Sequence, residues 1–309
     1  MNIVINLFNP VKDFSGREGH FTALAVKYPA VNFQFAYSRE QFQDLLGEAD
    51  GAYVWSFSER DYARAPKLKF LVTPAAGRDW VAEDPQAKVK VYFSAFHGPM
   101  ISESLLAMML SLNHKLSEQQ SLQRAGIWDR NICTGRRLMR DQSVVIYGFG
   151  RIGLACARLL KATGMKVVGV NRSGACQGAE DIAVFKNTEA DSCLAQADHV
   201  VFLLPGNSEN EGLIKRSFFE KLKKGVRLYN FGRGTVINEP DLLESLNSGQ
   251  LECAGLDVTA IEPLPKNSPI YQHPRILLTP HNSCTYEEYI PLFAQEQETR
   301  LAEIIKDFF

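Results

Sequence analysis

Short apolar, β-branched runs alternate along the whole chain with segments whose apolar positions return every three or four residues. That alternation predicts an α/β architecture with mostly parallel sheets, because a parallel strand pair needs a long crossover between its members. As far as about His97 the expected strands are Asn2–Leu7, Val31–Ala36, Gly51–Trp55, Phe70–Thr73 and Lys88–Phe93. Ser102–Leu116 then carries Leu105, Leu106, Met109 and Leu112 at helical spacing behind a Ser-Glu start, and reads as the bridge into a second domain. From Ser143 the rhythm is more regular. Expected strands are Ser143–Tyr147, Lys166–Val170, His199–Leu204, Val226–Phe231, Cys253–Val258 and Ile276–Thr279, with helical stretches such as Ile152–Ala162, Ser217–Lys223 and Glu239–Ser245 between them. Six strands fit one doubly wound sheet, in which ligands lie beyond the carboxyl ends of the strands.

The 309 residues give room for about two domains. Lys and Arg total 34 against 35 Asp and Glu, a net charge of −1, so no bulk field exists to hold nucleic acid or an acidic membrane surface. Cys133, Cys156, Cys176, Cys193, Cys253 and Cys284 are scattered without metal-like spacing, which points to reduced thiols in a cytoplasm. The start, Met1–Phe8, lacks a basic leader, and no apolar run has the length of a membrane span, so a soluble, non-exported protein is expected. Between Gln119 and Gln142 the chain is polar and rich in Arg (Arg124, Arg130, Arg136, Arg137, Arg140) around Trp128, as a surface segment that meets a second subunit would be.

After the first strand of the regular half stands Gly148-Phe149-Gly150-Arg151-Ile152-Gly153. A G-x-G-x-x-G between a strand and a helix allows a tight turn, close approach of the backbone to a pyrophosphate, and close helix–strand packing, with the helix N-terminus facing the anion. The half is therefore expected to be Rossmann-like. About 20 residues on, where an NAD site places Asp or Glu, the chain reads Asn171-Arg172-Ser173. A guanidinium flanked by small hydrogen-bonding side chains suits a 2′-phosphate, so NADP(H) is favoured and NAD(H) stays possible. Later strands are followed by Asn230-Phe231-Gly232-Arg233-Gly234, by Asp257 through Glu262 to Pro265, and by Thr279-Pro280-His281-Asn282. Arg, Glu and His thus converge on one edge. A 2-keto acid reductase needs that set: a guanidinium for the carboxylate, an imidazole for the proton, and a carboxylate to orient the imidazole. The other five histidines, His20, His97, His114, His199 and His273, lack such a context and read as surface or structural. No G-x-S-x-G, H-E-x-x-H or P-loop motif occurs.

With N-x-x-R-G, D-V-x-x-x-E-P-L and T-P-H in order behind the glycine motif, the chain resembles the D-isomer-specific 2-hydroxyacid dehydrogenase family over most of its length, and within it the glyoxylate/hydroxypyruvate reductase branch. Residues also shared with that branch are Leu203-Leu204-Pro205 and Ser268 through Pro274. The resemblance implies two Rossmann-like domains with the active site in the cleft between them: a discontinuous substrate-binding domain, 1–98 plus 284–309, and a dinucleotide-binding domain, 99–283. It implies Arg233 as substrate anchor, His281 as general acid/base and Glu262 as its partner. Gly148, Gly150, Arg151, Ile152, Gly153, Asn171, Arg172, Ser173, Leu204, Pro205, Gly232 and Asp257 become the cofactor contacts. Asp257 matches the family's aspartate near the nicotinamide. Ala76 and Gly77 would grip the substrate carboxylate with backbone N–H groups, and Trp55 would form a wall. The implied activity is NAD(P)H-dependent reduction of small 2-keto acids, or oxidation of a D-2-hydroxy acid, in a cytoplasmic homodimer. A non-catalytic dinucleotide-sensing protein on the same fold is the alternative. His97-Gly98-Pro99 and Glu211 depart from the common pattern and bear on substrate detail.

Overall fold

The computed structural model describes residues 1–308; Phe309, the end of the expected first-domain tail, lies outside the described residues. The chain divides into two units, Met1–His97 with Thr285–Phe309, and Gly98–Cys284.

The first unit is built on strands β1 (Asn2–Asn6), β2 (Asn32–Phe35), β3 (Gly51–Val54), β4 (Phe70–Thr73) and β5 (Lys90–Phe93), all paired in parallel in the order β2-β1-β3-β4-β5. Its strands read as continuous apolar runs because both faces are covered, as β3 and β4 show by being buried at every position. One cover is the C-terminal helix Tyr289–Phe308, which buries Tyr289, Ile290, Phe293, Leu301 and Ile304. Pro291 sits in its first turn, where a missing N–H costs nothing. Side chains tie this helix to the sheet edge: the Glu296 Oε1 accepts the Ala95 N–H at 3.0 Å, and Arg300 donates to the Phe93 carbonyl at 3.0 Å.

The second unit contains β6 (Ser143–Tyr147), β7 (Lys166–Asn171), β8 (Ala183–Lys186), β9 (His199–Phe202), β10 (Val226–Asn230), β11 (Leu251–Leu256) and β12 (Ile276–Leu278). The order is β12-β11-β10-β9-β6-β7-β8, again parallel throughout. The sheet has seven strands where the pattern gave six. The extra one, β8, is a four-residue edge strand with no fully buried position, too weakly apolar to stand out in the sequence. Alternate residues feed two cores: Val145 and Tyr147 of β6 enter one layer, Val144 and Ile146 the other. The bridging helix runs Gly98–His114, starting earlier than Ser102 because Pro99 is tolerated in a first turn. The strand order reverses between β6 and β9, which makes the loops after those two strands the topological switch point.

Candidate active site

The glycine turn follows β6 directly. Gly148 has φ +95°, and a Cβ there would stand 2.8 Å from the Leu203 carbonyl carbon, so only glycine lets the turn press against the chain leaving β9. Gly153 is confined in a different way. A Cβ would meet the Gly148 oxygen and the Phe149 ring at 3.3 Å, the tight packing of helix Arg151–Ala162 on its strand. Gly150 is the opposite case: nothing lies within 4 Å of its Cβ position, and as N-cap it gives the helix no side-chain cap. The turn is therefore open at Gly150, where the helix N-terminus with its unpaired N–H groups begins, which fits a diphosphate.

The three residues at the end of β7 divide their work. The Asn171 Nδ2 donates to the carbonyls of Phe149 (2.8 Å) and Ala175 (2.9 Å), while its Oδ1 accepts from Ser173 N, Ser173 Oγ and Gly174 N. Asn171 and the Ser173 hydroxyl thus shape the loop, and Arg172 alone turns its charge outward, 3.3 Å from the Glu209 carboxylate. Leu204 is buried, and Pro205 is exposed with its carbonyl accepting from Asn207 N and Asn210 Nδ2.

Arg233 follows β10 between two glycines that no other residue could replace without displacement. A Cβ on Gly232 would stand 2.4 Å from the Leu204 oxygen, and one on Gly234 1.9 Å from the Thr259 carbonyl carbon. Buried Asn230 locks the bend by accepting the Gly232 N–H (3.1 Å) and donating to the Arg233 carbonyl (3.1 Å). After β11, Glu262 accepts the Thr259 N–H on Oε1 at 3.1 Å, and its Oε2 lies 2.7 Å from His281 Nδ1. Partial burial pushes the Glu262 carboxyl up, but the His281 hydrogen bond and charge, the Thr259 N–H and the nearby Arg233 charge outweigh it. The carboxyl ends below its ordinary 4.5. His281 has φ +49°, a left-handed backbone costing a non-glycine residue about 1–3 kcal/mol, held where the surroundings over-determine it. Both side chains of the pair are a little over one-third exposed, open to a small reactant. Arg233, Glu262 and His281 are thus brought to one sheet edge. Cys284, close by, has its thiol pushed up to about 12 by burial first and the Asp257 charge second, and is no nucleophile.

In the first unit, Trp55 follows β3, donates from Nε1 to the Phe14 carbonyl (3.0 Å) and stacks on Tyr289 at 5.6 Å. Ala76 is exposed after β4, and Gly77 caps the short turn Arg78–Trp80 with no side chain to block its backbone.

Residues 106–283, more than half of the chain, match the family described as D-isomer specific 2-hydroxyacid dehydrogenase, NAD binding domain. The chain belongs to that family. Among relatives of the D-2-hydroxyacid dehydrogenases, glyoxylate/hydroxypyruvate reductase B of Enterobacter sp. (strain 638) is 31% identical over 280 residues, covering 87% of this chain and 84% of the relative. The D-3-phosphoglycerate dehydrogenase of Mycobacterium leprae is 32% identical over 251 residues, 79% of this chain. The chain spans about half of that relative's length (47%). The crystal structure of the D-isomer specific 2-hydroxyacid dehydrogenase from Xanthobacter autotrophicus Py2, in complex with NADPH and MES, superimposes with a TM-score of 0.82 at 26% identity, covering 99% of this chain and 96% of that one.

Sequence reasoning missed the supporting shell of this candidate site. Glu209 against Arg172 lies 37 residues away and gives no local signal. The Asp257 hydrogen bonds to Thr279, Asn282 and Ser283 arise only once β11 and β12 pair, although the T-P-H motif contained the threonine. His97 and His199, read as structural, are buried and hydrogen-bonded to Tyr289 and to Gln142 and Tyr229.

Proposed function

We propose that the chain is an NADP(H)-favouring reductase, tolerant of NAD(H), that converts small 2-keto acids of the glyoxylate and hydroxypyruvate type into 2-hydroxy acids and catalyses the reverse oxidation. The observation that carries this reading is the 2.7 Å bond between His281 Nδ1 and Glu262 Oε2 on the sheet edge that also bears Arg233. A carboxylate that fixes Nδ1 leaves Nε2 to give a proton to the keto oxygen, and a guanidinium stabilises the charge developing there while gripping the neighbouring carboxylate. The reduced nicotinamide, when bound, supplies the hydride. Gly148, Gly150, Arg151, Ile152 and Gly153 would hold its diphosphate, Leu204, Pro205 and Gly232 would flank it at the switch point, and Arg172 would take the 2′-phosphate, with Asn171 and Ser173 holding the loop.

In this reading residues 99–283 bind the dinucleotide and residues 1–98 with 284–309 bind the substrate. There the Ala76 and Gly77 amides would hold the carboxylate beside Trp55. Support comes from the Enterobacter reductase and from the NADPH-bound Xanthobacter structure. A homodimer is supported by the helix Leu116–Arg124, which buries no residue of its own, and by Leu116, Ile127, Trp128 and Leu138, all exposed, Trp128 by 88%. No helix of the described residues is long and apolar enough to cross a membrane, and six free cysteines suit a reducing cytoplasm.

The test is loss of absorbance at 340 nm over a panel of 2-keto acids, with NADPH and NADH side by side. Turnover of glyoxylate or hydroxypyruvate, faster with NADPH, is expected. Tight NADPH binding without turnover of any keto acid overturns the reading in favour of a dinucleotide sensor.

A further inference from the structure

Burial in the loop after β4 stops at one step: Thr73, Pro74 and Ala75 are buried, and Ala76 is exposed. Each carbonyl of the buried stretch is held. The Thr73 carbonyl accepts the Ser94 hydroxyl at 2.9 Å, the Pro74 carbonyl the Tyr289 hydroxyl at 3.1 Å, and the Ala75 carbonyl the Ser94 N–H at 3.2 Å. A trans peptide points its N–H opposite to its carbonyl, so the grip on the Ala75 carbonyl turns the Ala76 N–H away from Ser94. Among the described residues no acceptor meets the N–H of Ala76 or of Gly77.

The hold on Pro74 comes from far along the chain. A carbonyl only accepts, so it takes the one phenolic proton of Tyr289, and the 3.0 Å contact between the Tyr289 oxygen and His97 Nε2 must then be donated by the imidazole. His97 is 4% exposed and Tyr289 3%. His97 ends the first stretch of the first unit, and Tyr289 opens the C-terminal helix soon after the chain returns. The Tyr289 ring has a second use. Trp55 stacks on it at 5.6 Å with an interplanar angle of 24°, Phe14 packs on it at 4.7 Å, and the Phe14 carbonyl accepts from Trp55 Nε1.

We propose that Tyr289, its hydroxyl oriented by His97, is the positioning residue of the substrate-carboxylate site: through the Pro74 carbonyl it sets the loop that presents the Ala76 and Gly77 N–H groups, and through its ring it sets Trp55. This rests on the reading of those two amides as carboxylate ligands in a 2-keto acid reductase. It gives His97, which departs from the common pattern, an action on substrate binding through Tyr289 and not on the reacting atoms.

Tyr289→Phe removes the hydroxyl and keeps the ring, and His97→Leu removes the donor behind it. Tyr28→Phe is the control, because that phenol also donates to a backbone carbonyl, Glu298 at 2.7 Å, on the same C-terminal helix and not on the loop. The experiment measures kcat and KM for glyoxylate, the inhibition constant of oxamate, which carries the carboxylate but takes no hydride, the NADPH Kd by protein fluorescence, and Tm. Tyr289→Phe is expected to raise KM and the oxamate constant in step by about fivefold or more, with kcat and the NADPH Kd within about threefold, since a grip lost equally from bound substrate and transition state raises KM and spares kcat. His97→Leu should move both constants in the same direction by less, and Tyr28→Phe should lower Tm without moving either. Wild-type values of KM and the oxamate constant in Tyr289→Phe overturn the proposal, as does an equal rise in Tyr28→Phe. If Tyr289→Phe fails to fold, His97→Leu decides by the same two constants. No turnover of any 2-keto acid by wild type removes the reading beneath the proposal and the proposal with it. Wild-type turnover of glyoxylate with unmoved constants in the variants removes the proposal alone.

Discussion

Gly234→Ala is a small change with a large expected effect. The Cβ it adds would lie 1.9 Å from the Thr259 carbonyl carbon, 2.0 Å from its oxygen and 2.5 Å from the Ala260 nitrogen. Ordinary contact begins near 3.4 Å, so the two loops must part by about 1.5 Å, and the obstacle is backbone that cannot rotate away. Neither side is free to give. Thr259 N–H holds Glu262, Thr259 Oγ1 donates to the Ile261 carbonyl at 2.9 Å, and Ala260 N–H donates to Glu239 at 2.8 Å. On the other side Gly234 directly follows Arg233. Parting the loops therefore moves the guanidinium away from the carboxylate–imidazole pair, and a misplacement of about 1 Å costs on the order of 100-fold in rate. Overpacking of this kind costs about 3 kcal/mol, the upper part of its usual range, which for a unit of this size lowers Tm by roughly 6–12 °C. Steady-state rates at 340 nm and scanning fluorimetry measure both, with Gly47→Ala, whose Cβ position meets nothing within 4 Å, as the control. A kcat/KM within about threefold of wild type and an unchanged Tm would refute the packing argument.

Glu209→Gln removes the carboxylate that faces Arg172 and would repel a 2′-phosphate, so NADPH affinity should rise by roughly two- to fivefold with NADH affinity unchanged, the scale of one exposed pair. Equal shifts for both cofactors would reject Arg172 as the 2′-phosphate ligand. His199 is buried and its pKa is pushed down to about 3, by desolvation first and then by the Arg227 charge. The unfolded chain takes up that proton near 6.5 and the folded one resists, so stability is full above pH 6.5 and falls as pH drops from there toward 3, by up to about 1.4 kcal/mol per unit. Urea unfolding at pH 7 and pH 5 should show wild type losing about 2 kcal/mol more than His199→Gln, a window in which neighbouring Asp198, whose carboxyl is held low, stays ionised. Parallel losses would contradict this. Trp128→Glu should convert the proposed dimer to monomer by sedimentation at micromolar concentration, with kcat within about twofold; an unchanged assembly would place any interface elsewhere.

Much of this was legible because parallel strands buried on both faces are continuous apolar runs: Gly51–Val54 and Phe70–Thr73 stand out by burial alone. Arg233, Glu262 and His281 were legible as one group because each follows a strand, and strand ends face one edge. What stayed hidden was long-range or weakly patterned. β8 is a short edge strand whose side chains are half-exposed. The helix expected over Ser217–Lys223 shrinks to Arg216–Phe219, since Phe218 and Phe219 are held by the core while the lysines that follow are not. At the end of β7 the sequence singled out the Arg172 guanidinium but left Asn171 and Ser173 beside it as further cofactor contacts; only the hydrogen bonds show those two neighbours committed to their own loop.

The most direct measurement is NADPH oxidation by glyoxylate in wild type, Glu262→Gln and Arg233→Gln, with cofactor affinity followed separately. The account predicts that Glu262→Gln lowers kcat by about 10²-fold or more while Arg233→Gln also raises the glyoxylate KM, both binding NADPH as wild type does. Wild-type kcat in either variant would contradict it.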